Sequence, residues 1–217
     1  MLKYFLIIFY IVSIFLIAIF LKKINPNNKE LLRKIIHIGM GPLIPIAKYF
    51  EISKVFAASF TFIIFFLILI NYIYKLFPII EDVERKSYGT LFYCLSLFLL
   101  IIIFWNEDPN SLIAGFFIMT FGDGFAGLIG KNFSSKSWQI INQKKSLLGT
   151  ITMFLTSSLV LISVSSWGGL QLNSNYLLIA LIATILEQIS IFGIDNFTVP
   201  IFSSLSFNLF ITNLQLT

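Results

Sequence analysis

Long apolar runs, interrupted by short basic and polar stretches, dominate the chain. They predict membrane spans near 2–21, 35–50, 53–74, 89–105, 110–130, 147–167 and 175–192, about seven helices. A weaker run at 198–213 either crosses or lies at the interface, which leaves the count between six and eight. The first run has an apolar core of about 18 residues and no small-x-small cleavage site, so it is expected to be a retained span. The run at 35–50 is short and carries Gly39, Gly41, Pro42 and Pro45, so it is expected to be broken or tilted. Irregular backbone at membrane depth survives where protein or a wet cavity receives its polar groups.

Composition supports this pattern. Of 217 residues, 58% are hydrophobic and 12% charged, whereas a soluble domain carries about a quarter charged residues. The expected fold is therefore an all-α, polytopic membrane protein forming a single domain over 1–217, with no soluble domain and no long-period repeat. The one cysteine, Cys94, excludes a disulfide framework or a thiolate zinc site. The net charge of +5 reads first as topology rather than as a nucleic-acid surface. Twelve of the fifteen cations fall in three loops, 22–34, 75–86 and 131–145, and the alternate side holds Lys3, Lys48 and Lys54. The positive-inside rule places those three loops in the cytoplasm. If 35–50 did not cross, the last two basic loops would lie outside, so the charges argue that it crosses.

Under this topology the unusual polar residues gather on the cytoplasmic side. In "ELLRKIIHIG", Arg33 and His37 lie four apart on one side of a helix; the bland reading is a topogenic cation and an incidental histidine. "EDVERKSYGTLFY" brings Glu84, Arg85 and Gly89 to a span start, or is a solvated loop ending in glycine. In "FGDGFAGLIGK", Asp123 lies near the end of a span, where a carboxylate is costly unless it faces a wet cavity, a metal or a cation. Residues 122–127 fit G-x-G-x-x-G, but a dinucleotide fold needs a preceding strand and a second acid about 20 residues on. The next acid here is Glu187. Gly122, Ala126 and Gly130 recur at every fourth position, which lets another helix approach closely. That role leaves Asp123 unexplained.

"NQKKSLLGT" puts Lys144, Lys145, Ser146 and Gly149 at a helix entrance. The combination suits phosphate through charge and free N–H groups, or serves as a positive-inside anchor. "LEQISIFGIDNFTVP" adds Glu187 and Asp195, candidates for Mg²⁺, which favours oxygen ligands together with phosphates. Five separated segments thus bring acids, bases and glycines to one face. A transporter would place such groups near the midplane and expose both sides.

These segments, in this order, resemble the polyprenol kinase family, which includes dolichol and phytol kinases. The resemblance rests on "RKIIH" (Arg33, Lys34, His37), "ERKSYGTLFY" (Arg85, Gly89, Thr90, Tyr93) and "GDGFAGLIG" (Gly122, Asp123, Gly124, Ala126, Gly130). It continues through "KKSLLGT" (Lys145, Ser146, Gly149, Thr150) and "EQISIFGIDNFTVP" (Glu187, Asp195, Asn196, Pro200), covering about residues 33–200. The short chain and its "GTLFY" segment look more like phytol kinases than the larger dolichol kinases.

The resemblance implies a multi-span enzyme that moves the γ-phosphate of a nucleotide, typically CTP, to a long-chain isoprenoid alcohol such as phytol. It also implies a place in isoprenoid salvage and tocopherol biosynthesis. In that reading Lys144, Lys145, Ser146 and Gly149, with Gly122 and Gly124, hold the nucleotide phosphates. Asp123, with Asp195 or Glu187, holds Mg²⁺. Arg33 or Arg85 stabilises the moving phosphoryl group, and an acid among them, or His37, accepts the alcohol's proton. One departure is Leu148, which stands where some relatives carry an acid. Phosphoryl transfer is mainly positioning and charge neutralisation, which such a set supplies without a Walker A loop or a protein-kinase signature. Three alternatives stay open: a CTP-dependent dolichol or diacylglycerol kinase, a cytidylyl- or CDP-alcohol transferase, and a small-solute transporter. The CDP-alcohol transferases usually need further aspartates after the DG pair, and 125–145 contains none.

Overall fold

The computed structural model describes residues 1–24, 29–75, 87–140 and 143–215, and these are helical apart from one hairpin and the connections. The elements are α1 (Leu2–Ile24), α2 (Lys29–Gly39), α3 (Leu43–Tyr49), α4 (Lys54–Tyr74), α5 (Gly89–Phe104) and α6 (Pro109–Phe117). A π-helical turn, Ile118–Asp123, joins α6 to α7 (Gly124–Asn132). The hairpin β1 (Ser137–Ile140) and β2 (Gln143–Ser146) follows, and then α8 (Leu147–Trp167), α9 (Asn175–Ile189) and α10 (Asp195–Gln215). Among the described residues, α1, α4, α8 and the continuous segment Pro109–Asn132 are long and apolar enough to cross a membrane; α5 and α9 are shorter apolar helices.

The segment Pro109–Asn132 is the axis of the bundle. It starts where Asp108 accepts the Ser111 amide at 3.2 Å, with Pro109 in the first turn. Its first half packs against α5, α8 and α10, and its second against α2 and α8. Leu112, Phe116, Ile118 and Met119 are fully buried there, with Met153, Leu161 and Phe207 from the surrounding helices. By contrast α1 buries Ile14 and Ala18 and turns Phe5, Phe9, Leu16 and Phe20 outward, as a lipid-facing helix does.

The small-residue stripe meets α8. A Cβ on Gly122 would stand 2.8 Å from Met153 Sδ, and one on Gly130 would stand 2.6 Å from Ser146 Oγ and 3.3 Å from Gly149 Cα. The spacing thus lets two backbones close on each other, as small residues do in membranes.

The broken run is also present. α2 ends at Gly39, the chain turns, and α3 begins after Pro42. Near its start Arg33 stands by Gly89, at the beginning of α5. Near its end Lys48 Nζ donates to the Trp105 carbonyl, just past the end of α5, at 2.9 Å. The two pieces together therefore travel the length of α5. The weak run at 198–213 lies within α10, a 21-residue helix packed against α5, α6 and α9. Two features depart from expectation: the π turn at Ile118–Asp123, and the hairpin inside the basic stretch read as a loop.

Candidate functional site

All the candidate groups that the structure describes lie at one end of the bundle, where α2, α7, the hairpin, the start of α8, the end of α9 and the start of α10 converge. Arg85, with Glu84, lies outside the described residues. The convergence encloses a cavity of about 830 Å³. Its cations are Arg33, Lys34, Lys131, Lys144 and Lys145, its acids Asp123, Glu187 and Asp195, and Ser134, Ser135 and Ser137 add hydroxyls.

The three acids come from three separate helices. Each is buried, and each offers a carboxylate oxygen within 4.8 Å of the others. Asp123 stands on the π turn, a wide turn frequently found at functional positions. Lys34 Nζ donates to its carboxylate at 2.7 Å and to its backbone carbonyl at 3.0 Å. Gly127 leaves the path for that side chain, since a Cβ there would stand 2.6 Å from Lys34 Cε. Glu187 is held by Lys145, which also donates to its backbone carbonyl at 2.7 Å, and by Gln188 Nε2 at 2.8 Å. The Asp195 amide donates to Ser190 Oγ at 2.9 Å, which sets the start of α10. Removing charges from water is costly unless each is closely paired; here two ammonium groups reach two of the acids. The donor set is entirely oxygen and suits a hard divalent cation such as Mg²⁺.

The lysine segment is placed by the hairpin, whose register sets Trp138 opposite Lys145 and Gln139 opposite Lys144. Side chains alternate along a strand, so Lys145 turns inward to Glu187 while Lys144 stays exposed on the cavity rim.

Several of the expected groups are engaged by the protein or lie outside the cavity lining. The entrance of α8 does not offer free N–H groups. Leu147 N donates to Lys136 O at 2.9 Å, Leu148 N to Ser135 Oγ at 3.3 Å, and Gly149 N to Ser146 Oγ at 3.2 Å. Ser146 is thus the N-cap of α8, and the helix end closes on the protein itself. Gly122 and Gly124 do not line the cavity; they face Met153 and Ile38 in helix contacts. His37 does not line it either: Nε2 lies 3.1 Å from the Met119 carbonyl and 3.6 Å from the Asp123 carboxylate, and the ring rests on Tyr93.

Lys34, Lys131 and Gln188 line the cavity and Ser190 sets the start of α10, and the sequence pattern marks none of them as carrying chemistry. The available signal for Lys34 was its position one turn before His37, on the same helix face.

A polytopic helical protein whose polar cavity joins buried acids to lysines at one end of the bundle is of the class of membrane proteins built to handle charged groups. No protein-family model matches the chain, and no solved structure does. Among curated proteins it is 33% identical over 210 residues to the phytol kinase of Synechocystis sp., covering 90% of this chain and 86% of that protein. It is 30% identical over 202 residues to probable phytol kinase 2, chloroplastic, of Glycine max, covering 86% of this chain and 68% of the relative. It is also 30% identical over 211 residues to a probable phytol kinase, chloroplastic, of Zea mays, covering 86% and 69%. The chain belongs to the phytol kinase family and is an enzyme of the kinase type.

Proposed function

We propose that this kinase transfers the γ-phosphate of CTP to the hydroxyl of a long-chain isoprenoid alcohol at the cytoplasmic face of its membrane. Phytol is the acceptor that the names of its relatives support. The observation that carries this reading is the cavity: three buried carboxylates and a set of lysines meet at one end of an otherwise apolar bundle.

Lys144 and Lys131 on the rim, with Arg33 and Lys145, meet the phosphates as side-chain charges, since the first amides of α8 are already taken. Asp123, Glu187 and Asp195 hold a divalent cation, Mg²⁺ by the chemistry of their oxygens. That cation would neutralise phosphate oxygens during transfer. Lys34 holds the Asp123 carboxylate in place. One of the three carboxylates takes the proton of the alcohol. His37 supports the π turn from outside the cavity. The acceptor's prenyl tail stays among the apolar helices and membrane lipids, and its hydroxyl enters at the cavity end.

The test is to incubate purified protein with γ-labelled CTP or ATP and with phytol, geranylgeraniol, dolichol or diacylglycerol. The expected product is phytyl monophosphate, formed from CTP. A lipid product from diacylglycerol alone, or no labelled lipid from any acceptor, would overturn the reading. Sidedness is tested by single cysteines placed at Lys144 and at Lys54 in a Cys94→Ser background. Only the former should be shielded from impermeant maleimide in intact cells.

A further inference from the structure

Asn196 follows Asp195 at the start of α10, and its backbone is fixed from several directions. Pro200, four residues on, has no N–H, so the Asn196 carbonyl loses its helical donor. Ser96 Oγ of α5 supplies one instead, at 2.8 Å. The Asn196 amide donates to the Gly193 carbonyl at 3.2 Å and to Asp195 Oδ1 at 3.1 Å. The side-chain nitrogen lies against Gly89, where a Cβ would stand 2.7 Å from it. The backbone is therefore held by α5, the turn before α10 and α10 itself, and the side-chain nitrogen rests on the start of α5.

One atom is left over. Asn196 is 4% exposed, and its Oδ1 is buried with no hydrogen-bond partner among the described residues. Buried polar atoms are nearly always paired, and Asn196 lines the same cavity as Asp123, Glu187 and Asp195. Gln188 Oε1 is also unpaired there, but that side chain is already engaged through its nitrogen with Glu187. An amide oxygen accepts and cannot donate, so what completes it is a donor hydrogen or a cation. Beside three carboxylates, the cation is favoured. A neutral oxygen also adds a ligand without placing a further negative charge next to Asp195, where like charges would oppose ionisation.

We propose that Asn196 Oδ1 is a fourth oxygen ligand of the divalent cation, neutral where the other three are carboxylates. The proposal rests on the cation reading of the acidic triad made above, and it extends the site to a residue type that a search for acids and histidines passes over.

The test uses the full-length protein in detergent and Mn²⁺ alone as probe, with free Mn²⁺ followed by electron paramagnetic resonance. Asn196→Leu keeps the shape and removes the oxygen. Asn196→Ala removes it without bulk beside Gly89, should the leucine variant not fold. Asn196→Asp keeps an oxygen in place. Both oxygen-lacking variants should weaken Mn²⁺ binding by about tenfold or more, and Asn196→Asp, which keeps an oxygen at the cost of a further like charge, should bind more tightly than either. Unchanged affinity in a folded Leu or Ala variant would overturn the proposal, as would an Asp variant as weak as they are. If the parent protein takes up no Mn²⁺ that Asp123→Asn abolishes, the cation reading of the triad fails, and this proposal fails with it. Those results differ from one another, so the two failures are separable.

Discussion

Both ends of the bundle engage ionic groups, and they do so differently. At the end away from the cavity, Asp108 accepts from the Ser111 amide, from the Ser111 hydroxyl and from Asn208 Nδ2 at 2.8 Å. Lys48 is likewise absorbed, by the Trp105 carbonyl at 2.9 Å and by the face of the Trp105 ring. Those groups close helix ends. At the cavity end, three acids from three helices converge within 4.8 Å of one another, and the amide oxygens of Asn196 and Gln188 in the same lining have no partner among the described residues. Charged groups bonded to the protein are common to both ends, half-buried at the far end and buried at the cavity. What distinguishes a site is that its polar groups face a shared space and outnumber the partners the protein gives them.

The sharpest way to break this contrast is Asp123→Asn. The variant removes one charge from the triad but keeps the shape and an oxygen for Lys34 to donate to, so insertion and helix content should be preserved while thermal stability falls. Phosphoryl transfer should fall by about 10³-fold or more, the scale on which charge-stabilising groups act in such reactions. Near-normal turnover would sink the assignment of the cavity as the active site.

Lys145→Met should come next in size. The change strands Glu187, which is 8% exposed in its side chain, and breaking a buried pair from one side costs about 3–5 kcal/mol. Thermal unfolding should show the loss, and activity should drop with it. Adding Glu187→Gln should recover much of the stability while activity stays lost. Recovery of both together would make the pair purely structural.

Much of this site was legible in the sequence because the informative residues are chemically expensive where they stand. Asp123 in an apolar helix demands a reason, and so do Glu187 and Asp195 beside spans. The Gly122–Ala126–Gly130 stripe and the Gly–Pro break in 35–50 also carried their meaning locally, through helical spacing and backbone restriction. What was not legible depends on distant partners. Lys34 reaches Asp123 across 89 positions, and beyond its place one turn before His37 nothing separates it locally from lysines that merely anchor a span. The hairpin segments "SWQI" and "QKKS" are short and polar, so no apolar alternation marks them. The π turn lies in "IMTFGD", which an ordinary helix would accommodate equally well. The amides of α8 look free until Lys136, Ser135 and Ser146 are seen to take them.

Lys144 tests the rim of the same cavity. It is exposed and pairs across the hairpin with Gln139, so Lys144→Ala should raise the KM for nucleotide by less than about tenfold. The effect should shrink at high salt, because exposed charges are screened. A large fall in kcat with KM unchanged would instead place Lys144 at the transferring phosphoryl group.

Asp108→Ala probes the other end, and it should leave the chemistry alone. Its carboxylate caps α6 and holds Asn208 of α10. Losing an N-cap of this kind costs about 0.5–2 kcal/mol, or a fall of several degrees in Tm for a chain of this size. The values of kcat and KM should stay within about twofold of the parent once measured well below the new Tm, because no group that Asp108 touches lines the cavity. The axis helix does connect the two ends, running from Pro109 through the π turn to Asn132. If loosening its start were felt at Asp123, kcat would fall in step with Tm, and Asn208→Ala, which removes the same contact from α10, would reproduce the loss. That outcome would show that the two ends are coupled through the π turn, and the division between structural and reactive charge drawn above would no longer hold.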